Sequence, residues 1–365
     1  MYSGDLNSCR INAISYGGTA SYYGGAISLA ANELVNLTNG SCGESFNYSY
    51  SSSSGKIRPY ALAPYYTSGE LKGLFFSQYN RHAVGILNLS TADITLGGRT
   101  VPAGYQHLIF GKNNTADYSR GEPAYASTLL RNPFGLYVNG TTLMVADRGN
   151  GKIARLDLST GNGNSDDFLG HKLVRDYDDE TPKQANKRFL YNPRSMEYDA
   201  TRNEIVFMDQ GNRRIRSLDL VSGNLTTIVG RGSWGNADSQ TEDPNNVYFR
   251  YVYDLFVTED GAGLFYTDYT GNTGTNRNCQ GRVFNRSTSD HNWFNLTVTA
   301  GMVFDFAGNY VLGCQNWDGT YEGNELVLRL KNQIVVEAKT EKTGSGWGFF
   351  APATSNNPGT RRSAR

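Results

Sequence analysis

Short apolar runs separated by glycine- and asparagine-bearing turns recur along most of this chain. Leu143–Ala146 and Glu204–Met208 are β-favouring runs of strand length. Asp147-Arg148-Gly149-Asn150 follows the first, and Asp209-Gln210-Gly211-Asn212 follows the second. Asp can accept from amides two residues on, Gly permits positive φ, and Asn tolerates the left-handed region, so both tetrads predict turns. Ile153–Leu156 and Ile215–Leu218 then alternate as a next strand. Ser159-Thr160-Gly161 and Val221-Ser222-Gly223 close a further hairpin, best seen leading into Leu225–Val229. Asn132-Pro133 and Asn192-Pro193 each precede one more strand. The second copy repeats the first at a shift of 209 − 147 = 62 positions. Four antiparallel strands per unit make one blade of a β-propeller.

Further units flank these two. An earlier one runs through Tyr60–Ala63, Gly73–Phe76, Val84–Leu89 and His107–Phe110; in it Ser77 takes the place of the turn aspartate, and the turn gains one residue. A fourth uses Val252–Val257, Gly263–Asp268 and Gly281–Phe284. A fifth uses Met302–Phe306, Tyr310–Gly313, Leu326–Leu330 and Ile334–Glu337. One strand-like segment remains at the far end, 346–352, and three at the start, near Ile11–Ser15, Ala26–Leu29 and Leu34–Leu37. One and three complete a sixth blade. The expected architecture is all-β: a closed six-bladed propeller over residues 1–355, its last blade shared between strands in 10–40 and 346–352. The other blades span 57–111, 129–175, 189–230, 248–300 and 301–340, and 356–365 form a flexible tail. Closure removes exposed sheet edges.

The Asn-Pro strand start, the Asp-x-Gly-Asn-x-x-Ile turn and the glycine-rich run Ile228–Asp238 resemble the NHL-repeat family of propellers, in its secreted or surface type. The resemblance implies a protein that mostly binds and occasionally catalyses. Catalytic members resembling it hold a metal with axial His, Asp, Glu or Asn residues, and no such set can be laid onto this sequence.

The formal net charge is zero and 19% of residues are charged, which argues against nucleic acid as a partner. No run of eighteen apolar residues is present, so no membrane-spanning helix is expected. Met1 is not followed by a leader; either one has been removed or the chain is part of something larger. Four cysteines allow three connectivities. Cys279 and Cys314 fall at neighbouring same-face positions of adjacent blades, and Cys9 and Cys42 bracket the N-terminal strands; four buried thiols are the alternative. Asn-x-Ser/Thr sequons occur at Asn36, Asn39, Asn47, Asn88, Asn113, Asn139, Asn224, Asn285 and Asn295. Together these favour an extracellular, cell-surface or periplasmic glycoprotein with disulfides.

The histidines (His82, His107, His171, His291) show no metal-ligand spacing, and neither a nucleophile elbow nor a phosphate loop is present. Asp147, Asp209 and Asp268 recur at one position and are expected to cap their own turns. The acidic run Asp176–Glu180 lacks calcium-loop spacing. Three long connections, 112–128, 170–188 and 231–247, should emerge on one face carrying Tyr118, Tyr125, Tyr177 and Trp234. Beneath them, Phe134, Arg194 and Tyr251 on first strands should line a channel mouth. The expected function is therefore non-catalytic binding or scaffolding, without a cofactor, toward a protein or glycan partner in a surface assembly. The alternative is a metal-dependent lyase or hydrolase whose axial ion is held by at least three blades.

Overall fold

A computed structural model describes residues 2–5, 10–14, 20–22, 27–29, 34–36, 59–111, 130–159, 165–169, 189–233, 243–249, 252–257, 261–269, 279–287, 291–296, 303–304, 310–312, 326–330 and 333–338. The described elements are strands and short 3-10 turns, arranged as small antiparallel sheets. This all-β architecture is consistent with a propeller-like fold. The chain divides into two compact units, Tyr2–Arg194 and Ser195–Arg365.

In the first unit, Pro59–Thr67, Glu70–Gln78, Ala83–Asn88 and Gln106–Gly111 form one four-stranded sheet; Pro133–Asn139, Thr142–Asp147, Lys152–Asp157 and Ser165–Leu169 form the next. Each is a meander in chain order. Phe75, Val84, Ile86, Ile109 and Phe110 of the first pack with Leu136, Leu143, Val145, Ala154 and Leu156 of the second in one buried cluster. Burial of this kind contributes about 25 cal/mol per Å² of apolar surface and holds one sheet against the next.

The sheets differ from the sequence expectation in three places. First, the turn after Glu70–Gln78 carries no extra residue. Gln78 pairs with Ala83 just as Asp147 pairs with Lys152, so Gln78, not Ser77, stands in the aspartate position. Ser77 instead is buried, and its hydroxyl accepts from the Ala61 amide at 3.0 Å. Second, the stretch after Asn88 contains a separate hairpin, Ile94–Leu96 with Arg99–Val101. Asn88 anchors it: its side chain donates to the carbonyls of Ala92 and Val101, both at 2.9 Å. That asparagine is fully buried, so its sequon is closed to a glycan in the folded chain, whereas Asn139 and Asn224 are exposed. Third, Arg10–Ile14 pairs with Tyr2–Asp5 and Leu34–Asn36, while Ile27–Leu29 pairs with Ala20–Tyr22 in its own hairpin. The strand Tyr2–Asp5 was not expected, and segment 346–352 lies outside the described residues.

The third sheet (Pro193–Asp199, Glu204–Asp209, Arg214–Asp219, Leu225–Val229) contains the unit boundary within its first strand. It is followed by a sheet of Val252–Val257, Gly263–Tyr269, Cys279–Asn285 and His291–Leu296, and one of Val303–Phe304, Tyr310–Leu312, Leu326–Leu330 and Gln333–Ala338. In this second unit Val206, Met208, Ile215, Phe249, Leu255 and Tyr266 belong to a buried cluster of their own.

Candidate functional site

The turn repeats in shape while its residues change. In the first three sheets the second strand ends at Gln78, Asp147 or Asp209, a three-residue 3-10 turn follows, and a left-handed residue closes it: His82 (φ 57), Gly151 (φ 66) or Arg213 (φ 52). The aspartates are fully buried. Asp147 accepts from the Arg131 amide and from Asn150 Nδ2, each at 2.7 Å, and lies 3.9 Å from Lys152 Nζ. Asp209 accepts from Asn212 Nδ2 at 2.9 Å and pairs with Arg216 at 3.3 Å. Neither side chain caps the 3-10 turn itself; each instead ties the turn to buried partners. The side chain of Asp268 lies outside the described residues.

The first residue of the 3-10 turn is different in each: Tyr79, Arg148 or Gln210. Gln210 is structural, since its Oε1 accepts from the Val252 amide at the start of the following sheet, at 3.1 Å. Tyr79 and Arg148 do something else. The Arg148 guanidinium lies 5.3 Å from the Tyr79 ring centroid, and its Nη1 donates to the Tyr79 hydroxyl.

The strand starts supply the remaining groups. Pro59 pairs with Gln78 and Pro133 with Asp147, so Tyr60 and Phe134 hold equivalent places, one residue beyond a strand-opening proline. Arg194 follows Pro193 in the same way. Proline suits a strand's first residue because its missing N–H is not needed there. Asn132 and Asn192, just before two of these prolines, adopt φ of 53 and 55, a conformation that asparagine tolerates well.

These positions converge within the first unit. The Tyr60 and Phe134 rings are 4.3 Å apart, Tyr60 and Tyr79 5.5 Å, and Tyr79 and Phe134 6.3 Å. Arg194 places its guanidinium carbon 4.9 Å from the Phe134 centroid. Burial pushes the Tyr60 phenol upward; Arg194 opposes that, Tyr79 adds to it, and Arg148 opposes it. The phenol thus stays protonated at neutral pH, available as a donor. Three rings and two guanidinium groups form a half-buried, aromatic, positively charged cluster. Contacts of this kind are worth about 0.5–2 kcal/mol apiece, depending on desolvation.

Phe134 and Arg194, expected to line a channel mouth, are placed with the Arg194 guanidinium over the Phe134 ring. Tyr60, Tyr79 and Arg148 were missed; the strand-opening prolines were the signal that could have found Tyr60. The register Val252↔Asp268 assigns the matching place in the fourth sheet to Tyr253 rather than Tyr251. Tyr251, Tyr118, Tyr125, Tyr177 and Trp234 lie outside the described residues, as do Cys9, Cys42 and Cys314. Cys279 is the first residue of its strand. The ends of the third long connection are stitched together: Gly230 and Arg231 donate backbone amides to the carbonyls of Pro244 and Val247, each at 2.8 Å. Arg231 there reaches the Tyr248 hydroxyl at 2.7 Å.

Among the described residues, no three His, Cys, Asp or Glu side chains gather as a metal site. Nor, among the described residues, is any helix long and apolar enough to cross a membrane.

No family model matches the chain, and no curated protein matches it. Solved structures do. One is a protein of unknown function from Bacteroides thetaiotaomicron (17% identity, TM-score 0.42), for which 73% of this chain aligns and spans 55% of that one. A putative 6-phosphogluconolactonase from Bacteroides fragilis aligns over 96% of this chain and 95% of its own, at 12% identity and a TM-score of 0.46. TolB from Acinetobacter baumannii aligns over 97% and 65% respectively, at 13% identity and a TM-score of 0.45.

Proposed function

We propose that this chain is an exported, NHL-like binding module. In this reading residues 1–355 close a six-bladed propeller whose last blade joins both termini, and the strand starts surround its axial mouth. The ligand meets Arg194, seated on the Phe134 ring, together with Tyr60, Tyr79 and Arg148. The long connections bring Tyr118, Tyr125, Tyr177 and Trp234 around it, and Tyr251 lies nearby. The partner is a glycan or a protein of a surface assembly, and binding needs no cofactor. Disulfides Cys279–Cys314 and Cys9–Cys42 suit the exported location.

The observation carrying this reading is the ring and guanidinium cluster itself. Aromatic and arginine side chains dominate binding hot spots, since they combine large contact area with directed hydrogen bonds. A packing role alone calls for aliphatic side chains at three consecutive strand starts, not Tyr, Phe and Arg. The reading is tested by probing glycan and surface-protein arrays with the full chain and with a Phe134→Ala, Arg194→Ala double variant of matched thermal stability. Capture by the native chain that the double variant loses supports the module. Capture by neither, or by both equally, removes it. Elemental analysis of the purified protein addresses the metal-dependent alternative: a stoichiometric divalent ion would favour it.

A further inference from the structure

We infer that the Arg148 guanidinium is the docking point for a carboxylate, and that the ligand is a glycan carrying a hexuronate. The inference rests on the reading of this chain as a binding module and makes its glycan arm specific.

Other arginines of the chain are paired with acids. Arg216 is fully buried and meets Asp209 at 3.3 Å. Arg202 meets Asp199 at 3.2 Å, and Arg286 meets Asp199 and Glu204, both at 2.5 Å. Arg148 follows a different rule. Among the described residues its partners are the Tyr79 hydroxyl and the Tyr79 ring, and neither carries charge. Its Nε is buried and has no acceptor there. A partly desolvated cation beside neutral rings is unfavourable unless an anion arrives.

The surroundings set the kind of anion. Tyr60 remains a neutral phenol, so the rings contribute no negative charge. Arg194 adds its cation to the same ring cluster, through Phe134, but has further contacts of its own. Among the described residues no carboxylate offsets Arg148, so the single charge of its guanidinium awaits a counter-ion. A carboxylate, singly charged and planar, matches the guanidinium fork. A phosphomonoester, at about −1.5 to −2, exceeds it. The neighbouring groups favour a sugar as its carrier. Phe134 is 5% exposed and already covered by Arg194. Tyr60 and Tyr79 are half-buried, and phenolic oxygens both donate and accept, as sugar hydroxyls require.

The test is calorimetric titration of the full chain with sodium glucuronate, with glucose and inorganic phosphate as controls, in native, Arg148→Gln and Arg148→Lys forms. Saturable binding of glucuronate is expected, with none of glucose and weaker binding of phosphate. Arg148→Gln should lose at least tenfold in affinity while its thermal midpoint is kept, and Arg148→Lys should recover part of the loss. Added salt should weaken binding, because one ion pair carries it. Equal binding of glucose, preference for phosphate, no binding of glucuronate, or an Arg148→Gln variant that binds like the native chain overturns the inference. Were the arrays to show capture of a neutral glycan or of a protein, lost in the double variant, the binding module would stand and the hexuronate would fall. An absence of any array capture would remove the module itself.

Discussion

Arg148 in the first unit and Arg286 in the second are both arginines set against neighbouring sheets, yet their partners differ in kind. Arg286 is enclosed by carboxylates: Asp199 and Glu204 each approach to 2.5 Å, and Arg202 joins from the same hairpin. Asp199 also accepts the amides of Thr201 and Arg202, at 3.0 and 3.1 Å. Arg202 reaches the Gly261 carbonyl, and the Arg286 amide donates to Ala262 at 2.7 Å, so the network clasps the third sheet to the fourth. Charge and hydrogen bonding are satisfied there. At Arg148 the rings supply contact and one hydroxyl, but no charge. An arginine whose counter-charge is built in holds the fold, and one lacking it is available to a ligand.

Removing the clasp should produce the largest effect. Asp199→Ala leaves Arg202 and Arg286 without their shared carboxylate, and breaking a buried pair costs about 3–5 kcal/mol. Urea unfolding should show that loss; a loss below about 1 kcal/mol would mean solvent replaces the clasp. Next comes the turn scaffold. A Cβ on Gly149 would meet the Arg131 carbonyl at 2.6 Å and its Cγ at 2.5 Å, so Gly149→Ala should cost about 1–3 kcal/mol by overpacking. Gly140→Ala meets nothing within 4 Å and is strained only by its φ of 55, so it should cost about 1 kcal/mol. Comparing their thermal midpoints separates close approach from backbone strain.

The smallest effect is a pH dependence next to the ring cluster. His82 Nδ1 accepts from the Asn132 amide at 3.1 Å, which requires a neutral imidazole nitrogen. Burial, and then Arg131, hold the His82 pKa below its ordinary value of 6.5. The unfolded chain thus binds the proton more readily. The stabilisation is fully present above the ordinary pKa and fades as pH falls through it toward the lower folded value. Thermal midpoints should decline on acidification through that window, and less so in His82→Asn, which keeps a residue tolerant of the left-handed turn. An identical decline in both proteins would assign the effect elsewhere.

Strands were legible because apolar alternation and turn chemistry are local. The shift of 62 residues aligned Asp147 with Asp209, and the structure gives both the same place in their sheets. The first unit's turn was misaligned because its glutamine lacks the charge that marks the other two, and only the ladder partner Ala83 fixes Gln78. The Ile94–Val101 hairpin was hidden in a polar stretch whose anchor is a buried asparagine, a residue type ordinarily exposed. Phe134 and Arg194 could be nominated from strand starts. Their pairing with Tyr60, Tyr79 and Arg148 could not, because it joins positions far apart in sequence through side-chain geometry alone.

The comparison between the two arginines is tested most directly by urea unfolding of Arg148→Gln beside Arg286→Gln in the full chain. Arg286→Gln should lose about 3 kcal/mol, because Asp199 and Glu204 lose their shared cation. Arg148→Gln should lose no more than about 1 kcal/mol, the worth of its Tyr79 contact, because among the described residues no carboxylate holds it. Comparable losses in the two variants would make Arg148 another clasp and contradict the account.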